Sequence, residues 1–238
     1  VERQAVPTLP SFCGLRIYPD FLSESEAQSL LSEIESTPFQ LSQSGKDKQH
    51  YGPKVNFNKQ KMNPNGFRGL PPYAADLEAK LRKRVASDVK LLAAERSLLE
   101  AALARYETTD VFVLRYSPDE MSNLDFHLDD LFAYGELILD ISLESDSILT
   151  FLRGRTESEV DEALDSRKEL ICVRVPLPAR SLAVLYGPAR FRWEHSILAY
   201  DIAAQRTSVT MRTLSDSLRD TQEGRVVLER ARKRIGVS

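Results

Sequence analysis

Histidine, cysteine and long apolar runs are what this chain has least of, and each scarcity narrows what it can be. Only three histidines, His50, His127 and His195, occur in 238 residues, so a site that needs two of them can be assembled in few ways. The two cysteines, Cys13 and Cys172, argue for a reducing compartment and therefore for an intracellular location, nucleus or cytoplasm. A chain of this length buries roughly 70% of its extended surface and needs no disulfide staples. No apolar run is long enough to span a bilayer and no charged-apolar-small leader opens the sequence, so no membrane partner is expected. The chain begins with Val rather than Met, and an N-terminal piece is expected to have been removed. A net charge of −3 does not suit a protein that wraps nucleic acid by bulk electrostatics, although local basic patches stay open. Oligomeric state is not legible.

What is present centres on Phe126-His127-Leu128-Asp129-Asp130. On a strand, residues two apart point to one face, so His127 and Asp129 would project together. One imidazole and one carboxylate are two-thirds of a 2-His-1-carboxylate triad, which holds Fe(II) and leaves positions open for a co-substrate and oxygen. The third ligand has to be a distant histidine, and His195 in Trp193-Glu194-His195-Ser196-Ile197 qualifies. Zinc is the rival metal. Zinc hydrolases with this ligand set usually carry a Glu base in a His-Glu-x-x-His helix, and the sequence has none, so iron is favoured.

A second constellation follows at Arg206-Thr207-Ser208-Val209-Thr210-Met211-Arg212. Strand alternation puts Arg206, Ser208, Thr210 and Arg212 on one face and Thr207, Val209 and Met211 on the other. Two arginines and two hydroxyls turned inward fit an anionic ligand such as a dicarboxylate, which the planar guanidinium fork binds bidentately.

The rest of the chain reads as support. No repeat or low-complexity tract is present. Residues 1–10 read as a loose start and Leu15–Ile17 as a first strand. Ser23 to Glu26 form a capping box ahead of Ala27, Leu30, Leu31 and Ile34, the apolar face of a helix. Residues 73–105 read as helix with a break near Ser87-Asp88, its core contacts being Leu77, Leu81, Val85, Leu91, Leu92, Leu98, Leu99 and Leu103. Strand-like runs then dominate, at Val111–Tyr116, Glu136–Leu143, Ser147–Leu152, Leu170–Leu177, Ser181–Tyr186 and Ser208–Leu214. Helices followed by many short strands predict an α+β fold: a jelly roll with helices packed on one side. Residues 153–168 read as a charged surface excursion and 217–238 as a charged, helical, solvated tail. One catalytic domain is expected over 1–238, with residues 11–72 forming the N-terminal helix and a lid and residues 106–216 the jelly-roll core.

Residues 40–68 carry Lys46, Lys48, Lys54, Lys59, Lys61 and Arg68 interleaved with His50, Tyr51, Phe57 and Phe67. Cations that position a polymer and rings that stack are what a nucleic-acid- or peptide-facing lid needs, although an ordinary solvated hairpin has the same composition. His50 reads as a lid or packing residue, not a ligand.

The ordered motifs His127-x-Asp129, His195 and Arg206-x-Ser208-x-Thr210-x-Arg212 resemble the AlkB family of Fe(II)/2-oxoglutarate dioxygenases. The branch resembled is that of the fourth AlkB homologue. Further matching strings are Leu41-Ser42-Gln43-Ser44-Gly45, Gln49-His50-Tyr51-Gly52-Pro53-Lys54-Val55-Asn56-Phe57, His127-Leu128-Asp129-Asp130, Pro176-Leu177-Pro178-Ala179-Arg180-Ser181-Leu182 and Trp193-x-His195. The resemblance covers most of residues 11–216. It implies a double-stranded β-helix core, with Fe(II) on His127, Asp129 and His195 and O2 as oxidant. It also implies 2-oxoglutarate as co-substrate, its distal carboxylate on Arg206, Arg212 near the metal end, and Tyr116 as a hydrogen-bonding partner.

The same resemblance makes residues 40–68 a substrate lid, represented by Lys48, His50, Tyr51, Lys54 and Phe57, which turns at Tyr51-Gly52. The sequence departs from the bacterial pattern in three places: Leu114 and Ser208 replace asparagines near the co-substrate, and Leu131 replaces an acid near the substrate. Asp130 is the nearest acid, with Phe132 and Tyr134 as pocket walls. The implied reaction is oxidative N-demethylation, and the implied partner is a methylated polymer, either N6-methyladenine in DNA or monomethyl-lysine in protein such as actin. The alternative reading is a catalytically silent scaffold that binds a protein or nucleic-acid partner.

Overall fold

The structure, a computed structural model, describes residues 12–42, 46–154, 170–233 and 235. The expected loose start at 1–10, most of the charged excursion at 153–168 and residues 43–45 of the Leu41–Gly45 string lie outside the described residues. In chain order the elements begin with β1 (Leu15–Tyr18), α1 (Glu24–Glu35), β2 (Gln40–Leu41), β3 (Asp47–Tyr51), β4 (Lys54–Asn56), β5 (Lys61–Asn63), α2 (Tyr73–Ala86) and α3 (Ala93–Arg105). Strands β6 (Asp110–Tyr116), β7 (Leu124–His127), β8 (Tyr134–Leu143), β9 (Ser147–Gly154), β10 (Leu170–Leu177) and β11 (Leu182–Leu185) follow. Last come α4 (Gly187–Phe191), β12 (Glu194–Ile197), a 3-10 turn at Ala199–Asp201, β13 (Arg206–Leu214), α5 (Asp216–Arg219) and α6 (Gln222–Ala231).

Eleven of these strands form two antiparallel sheets, ordered β1-β11-β8-β13-β6-β3-β2 and β10-β9-β12-β7. Strands β4 and β5 pair separately as a hairpin. The pleat of the larger sheet separates two cores, because successive side chains leave opposite faces. Val111, Val113, Leu137, Leu139, Ile141, Val184, Val209 and Met211 face the helices, where they meet Leu30 and Ile34 of α1, Leu77 and Leu81 of α2 and Leu99 of α3. Leu114, Tyr116, Ile138, Ala183 and Leu185 face the smaller sheet and pack against Leu149, Phe151, Leu177 and Ile197. This is the expected α+β jelly roll with helices on one side.

Local rules explain several boundaries. The Ser23 hydroxyl accepts from the Glu26 amide, and the Ser23 amide donates back to Glu26 at 2.7 Å, so α1 starts on the expected capping box. The helical stretch 73–105 does break, at residues 87–92. Leu92 and Leu98 are not core contacts: they are 70% and 60% exposed, while Leu91, Leu99 and Leu103 are buried. Helical spacing places Leu99 and Leu103 on one face and turns Leu98 away from it.

The tail, where described, is also packed rather than solvated. Leu218, Val227, Leu228 and Ala231 belong to the helix-side core. Burying a Val or Leu contributes on the order of 1.5–3 kcal/mol, so α6 is a structural helix. Just past α6, the Lys233 carbonyl accepts from the Leu70 amide in the chain before α2.

Candidate metal and co-substrate centre

Two strands of the smaller sheet carry the histidines. His127 ends β7 and is directly opposite His195 of β12 in the ladder, with the ring centroids 4.4 Å apart. Asp129 lies beyond the end of β7, in the turn that follows, rather than on a shared strand face as expected. The turn still brings it home: one ligand atom from each of His127, Asp129 and His195 lies within 4.8 Å of the others. The donor chemistry suits a cation. His127 Nδ1 is 2.8 Å from the Asp125 carbonyl, which can only accept, so Nδ1 carries the proton and Nε2 is left for a metal. Burial pushes the His195 imidazole down to about 4, which keeps it neutral. Burial alone would raise the Asp129 carboxyl. The charge of Arg212, helped by Arg190, outweighs that and holds it well below the usual carboxylate range.

Arg212 bridges two carboxylates. Its Nε donates to Asp129 at 2.7 Å and its Nη1 to Asp110 at 3.0 Å, and Asp110 faces Arg212 across the β13–β6 ladder. Asp110 in turn lies 2.6 Å from His50 Nε2. A continuous polar chain therefore runs from His50 through Asp110 and Arg212 to Asp129. Gly52 borders it, and a Cβ there would fall on the Asp110 carboxylate and the His50 ring. Glycine at this turn is required for close approach.

The turn that carries Asp129 is clamped by a residue the sequence reading did not find. Arg190 of α4 is 2% exposed. It donates to the carbonyls of Asp129 at 2.7 Å, Asp130 at 3.1 Å, Tyr134 at 3.3 Å and Gly135 at 3.2 Å. Nothing in Gly187-Pro188-Ala189-Arg190 marks this role, because the partners are main-chain groups about 60 residues earlier.

Between the sheets, a cavity of about 100 Å³ runs from the His127–Asp129–His195 cluster to Arg206, lined also by Tyr116, Ile138, Asp140, Ser208, Thr210 and Arg212. The inward face read from strand alternation is thus the polar wall of this cavity. Arg206 is 1% exposed. Its Nε donates to Ser142 at 2.9 Å and its Nη2 to Asp140 at 3.0 Å, while its ring neighbour Tyr116 lies 5.1 Å away. Arg206 Nη1 is buried with no partner. An orphaned guanidinium donor facing such a cavity fits a ligand carboxylate, because buried donors are otherwise paired.

A second, open cleft of about 870 Å³ leads to the same cluster, lined by Lys48, His50, Lys54, Val55, Phe57, Phe112, Asp129, Asp130, Tyr134 and Arg212 among others. The lid is in two parts. β3, with Lys48 and His50, belongs to the large sheet beside β6, whereas Lys54 and Phe57 come from the β4–β5 hairpin. The pleat of β3 splits the residues read as one lid surface. Lys48 and His50 face the cleft, but Tyr51 turns to the helix-side core and donates to Gln49. Lys46 is 8% exposed and donates to the Asn123 carbonyl, so it is not a free lid cation. Asp130 lines the cleft while accepting from the Ala133 amide at 2.7 Å. Phe132 packs between the two cores instead of walling the cleft.

Residues 14–228 match the 2OG-Fe(II) oxygenase superfamily. The human alpha-ketoglutarate-dependent dioxygenase alkB homolog 4 is 34% identical over 221 residues, spanning 86% of this chain and 68% of the human protein. The chain belongs to the AlkB family. A Caenorhabditis elegans DNA N6-methyl adenine demethylase is 32% identical over 217 residues, covering 91% of this chain and 64% of that protein. The solved structure of OsALKBH1 aligns with a TM-score of 0.50 at 13% identity, over 86% of this chain and 98% of that one, which shows the shared fold. This AlkB-family chain is an Fe(II)/2-oxoglutarate-dependent dioxygenase, a demethylase that uses Fe(II), 2-oxoglutarate and O2, and the silent-scaffold reading is set aside. No helix among its described residues is long and apolar enough to cross a membrane.

Proposed function

We propose that the chain acts as one catalytic domain that removes the methyl group from N6-methyladenine in single-stranded or locally opened DNA. His127, Asp129 and His195 would hold the iron, and Arg206 would bind the distal carboxylate of 2-oxoglutarate through its free Nη1. Arg212 serves by fixing Asp129 while its own charge is shared with Asp110. Iron, 2-oxoglutarate and O2 would together supply the oxidation: O2 is the oxidant, one of its oxygen atoms going to succinate as 2-oxoglutarate loses carbon dioxide and the other to the N-methyl carbon, which then leaves as formaldehyde. The protein supplies position and exclusion of water.

The observation that carries this reading is the make-up of the open cleft. Lys48 and Lys54 flank it, Phe57 and Phe112 offer ring faces, and it ends on the cluster of His127, Asp129 and Arg212. Cations suit phosphates and rings suit an unstacked base. Asp130, at the inner end, favours a second reading: a carboxylate beside Tyr134 suits the cation of monomethyl-lysine in a protein. One enzyme preparation offered both substrates, with formaldehyde and demethylated product measured by mass spectrometry, separates them. Turnover of methylated single-stranded DNA is expected. Turnover of a methyl-lysine protein with none on DNA at low salt replaces the first reading with the second.

A further inference from the structure

The end of the co-substrate cavity holds a carboxylate of its own. Asp140 of β8 sits directly opposite Thr210 of β13 in the ladder and points between the sheets with Ile138 and Ser142. Its Oδ2 accepts from Arg206 Nη2 at 3.0 Å and its Oδ1 from Thr210 at 3.1 Å. Of the three guanidinium nitrogens of Arg206, Nε donates to Ser142 and Nη2 donates to Asp140, and Nη1 is the one with no partner. A dicarboxylate reaching Arg206 therefore finds half of the fork occupied and a like charge beside it. Like charges sharing one cation disfavour each other, and a bidentate pair loses both energy and geometry when one of its bonds is withheld.

We propose that Asp140 is a specificity-determining residue for the co-substrate. It competes with the distal carboxylate for Arg206, and so lowers affinity for 2-oxo dicarboxylates without lowering it for 2-oxo acids that lack the second carboxylate. The proposal rests on the assignment of this cavity to 2-oxoglutarate and not on the identity of the methylated polymer. Asp140 contacts none of the metal-cluster residues, so its effect is confined to the distal end.

The test is calorimetric titration of Mn(II)-loaded protein with 2-oxoglutarate and, separately, with 2-oxopentanoate, which has the same carbon chain but no distal carboxylate. Asp140→Asn keeps the shape and the Thr210 contact while removing the charge. Asp140→Ser is the second variant should the first unfold, and thermal unfolding checks both. The expected result is about tenfold tighter 2-oxoglutarate binding in Asp140→Asn, equivalent to about 1.4 kcal/mol, with 2-oxopentanoate within twofold of the parent. Unchanged or weaker 2-oxoglutarate binding in the folded variant, or an equal shift for both oxo acids, overturns the proposal. If the parent protein binds neither oxo acid, the cavity assignment itself falls and the proposal with it.

Discussion

His50 Nε2 lies 2.6 Å from the carboxylate of Asp110, a residue 1% exposed to solvent. Through Asp110 and Arg212 this contact reaches Asp129. A residue that lines the open cleft is thus tied to the carboxylate of the His127–Asp129–His195 cluster by three short polar contacts. The tie exists because β3 pairs with β6 and β6 with β13, so that inward-facing residues of adjacent strands meet.

Gly52→Ala should disturb this tie from outside. The added methyl would fall on Asp110 and His50, and overpacking of this kind costs about 1–3 kcal/mol. Urea unfolding should read that loss, and Mn(II) titration should show weaker metal binding as Arg212 shifts. Unaltered Mn(II) affinity alongside the stability loss would show that the strain stops short of Asp129.

His127→Ala and Asp129→Ala should each abolish succinate formation from 2-oxoglutarate with Fe(II) and ascorbate. A second readout does not need turnover. A metal that binds only the folded state stabilises it by about 2.7 kcal/mol at a hundred times its dissociation constant, so Mn(II) should raise the melting temperature of the parent and leave that of either variant unmoved. Full turnover in either variant removes that residue from the site.

Arg190→Ala removes the donors that hold the carbonyls of Asp129, Asp130, Tyr134 and Gly135. Leaving a buried carbonyl without its donor costs about 1–3 kcal/mol. The variant should therefore unfold at markedly lower denaturant and bind Mn(II) more weakly, and Arg190→Lys should recover little, since an ammonium cannot span four carbonyls. A lysine variant with parental stability and metal affinity would show that one contact suffices.

These residues also mark what the sequence could tell. The inward face of β13 was legible because alternation is a local property, and so were the capping box at Ser23 and the helix break after Ala86. The meeting of His127, Asp129 and His195 was legible because three histidines leave few combinations. Arg190 and Asp110 were not legible. Their roles depend on pairings between distant strands and on backbone acceptors, which leave no residue pattern. Tyr51 reads as a lid residue because it is one of the rings interleaved with cations in residues 40–68, yet the register of β3 sends it to the opposite face. The tail carried a signal that its charge obscured: Val227, Leu228 and Ala231 recur at helical spacing within a run rich in arginine and glutamate.

Arg206→Ala should weaken 2-oxoglutarate binding about 10- to 100-fold, since a charge-assisted hydrogen bond is worth about 1.5–3 kcal/mol. Arg206→Lys should restore part, because it keeps the charge without the fork. Titration of Mn(II)-loaded protein measures both. An affinity equal to that of the parent in the alanine variant would mean that the distal carboxylate is held elsewhere.

The response of substrate binding to salt tests the nature of the polymer. If Lys48 and Lys54 each neutralise one phosphate of a single strand, the affinity should fall log-linearly with salt. The slope is about −0.7 per contact, so two contacts lose roughly sevenfold between 50 and 200 mM. Lys54→Ala should reduce that slope by about one contact, and uniformly across sequences, because phosphate contacts carry no base information. Phe57 is 50% exposed at the hairpin tip and lines the cleft. Stacking on a base is worth about 1–3 kcal/mol, so Phe57→Ala should weaken single-stranded DNA binding about 5- to 150-fold without altering the slope, since the ring carries no charge. Fluorescence anisotropy with a labelled methylated oligonucleotide gives both numbers. A flat salt response with a strong Phe57 effect would separate stacking from phosphate contact and point to a polymer that presents a methylated group without a phosphate backbone.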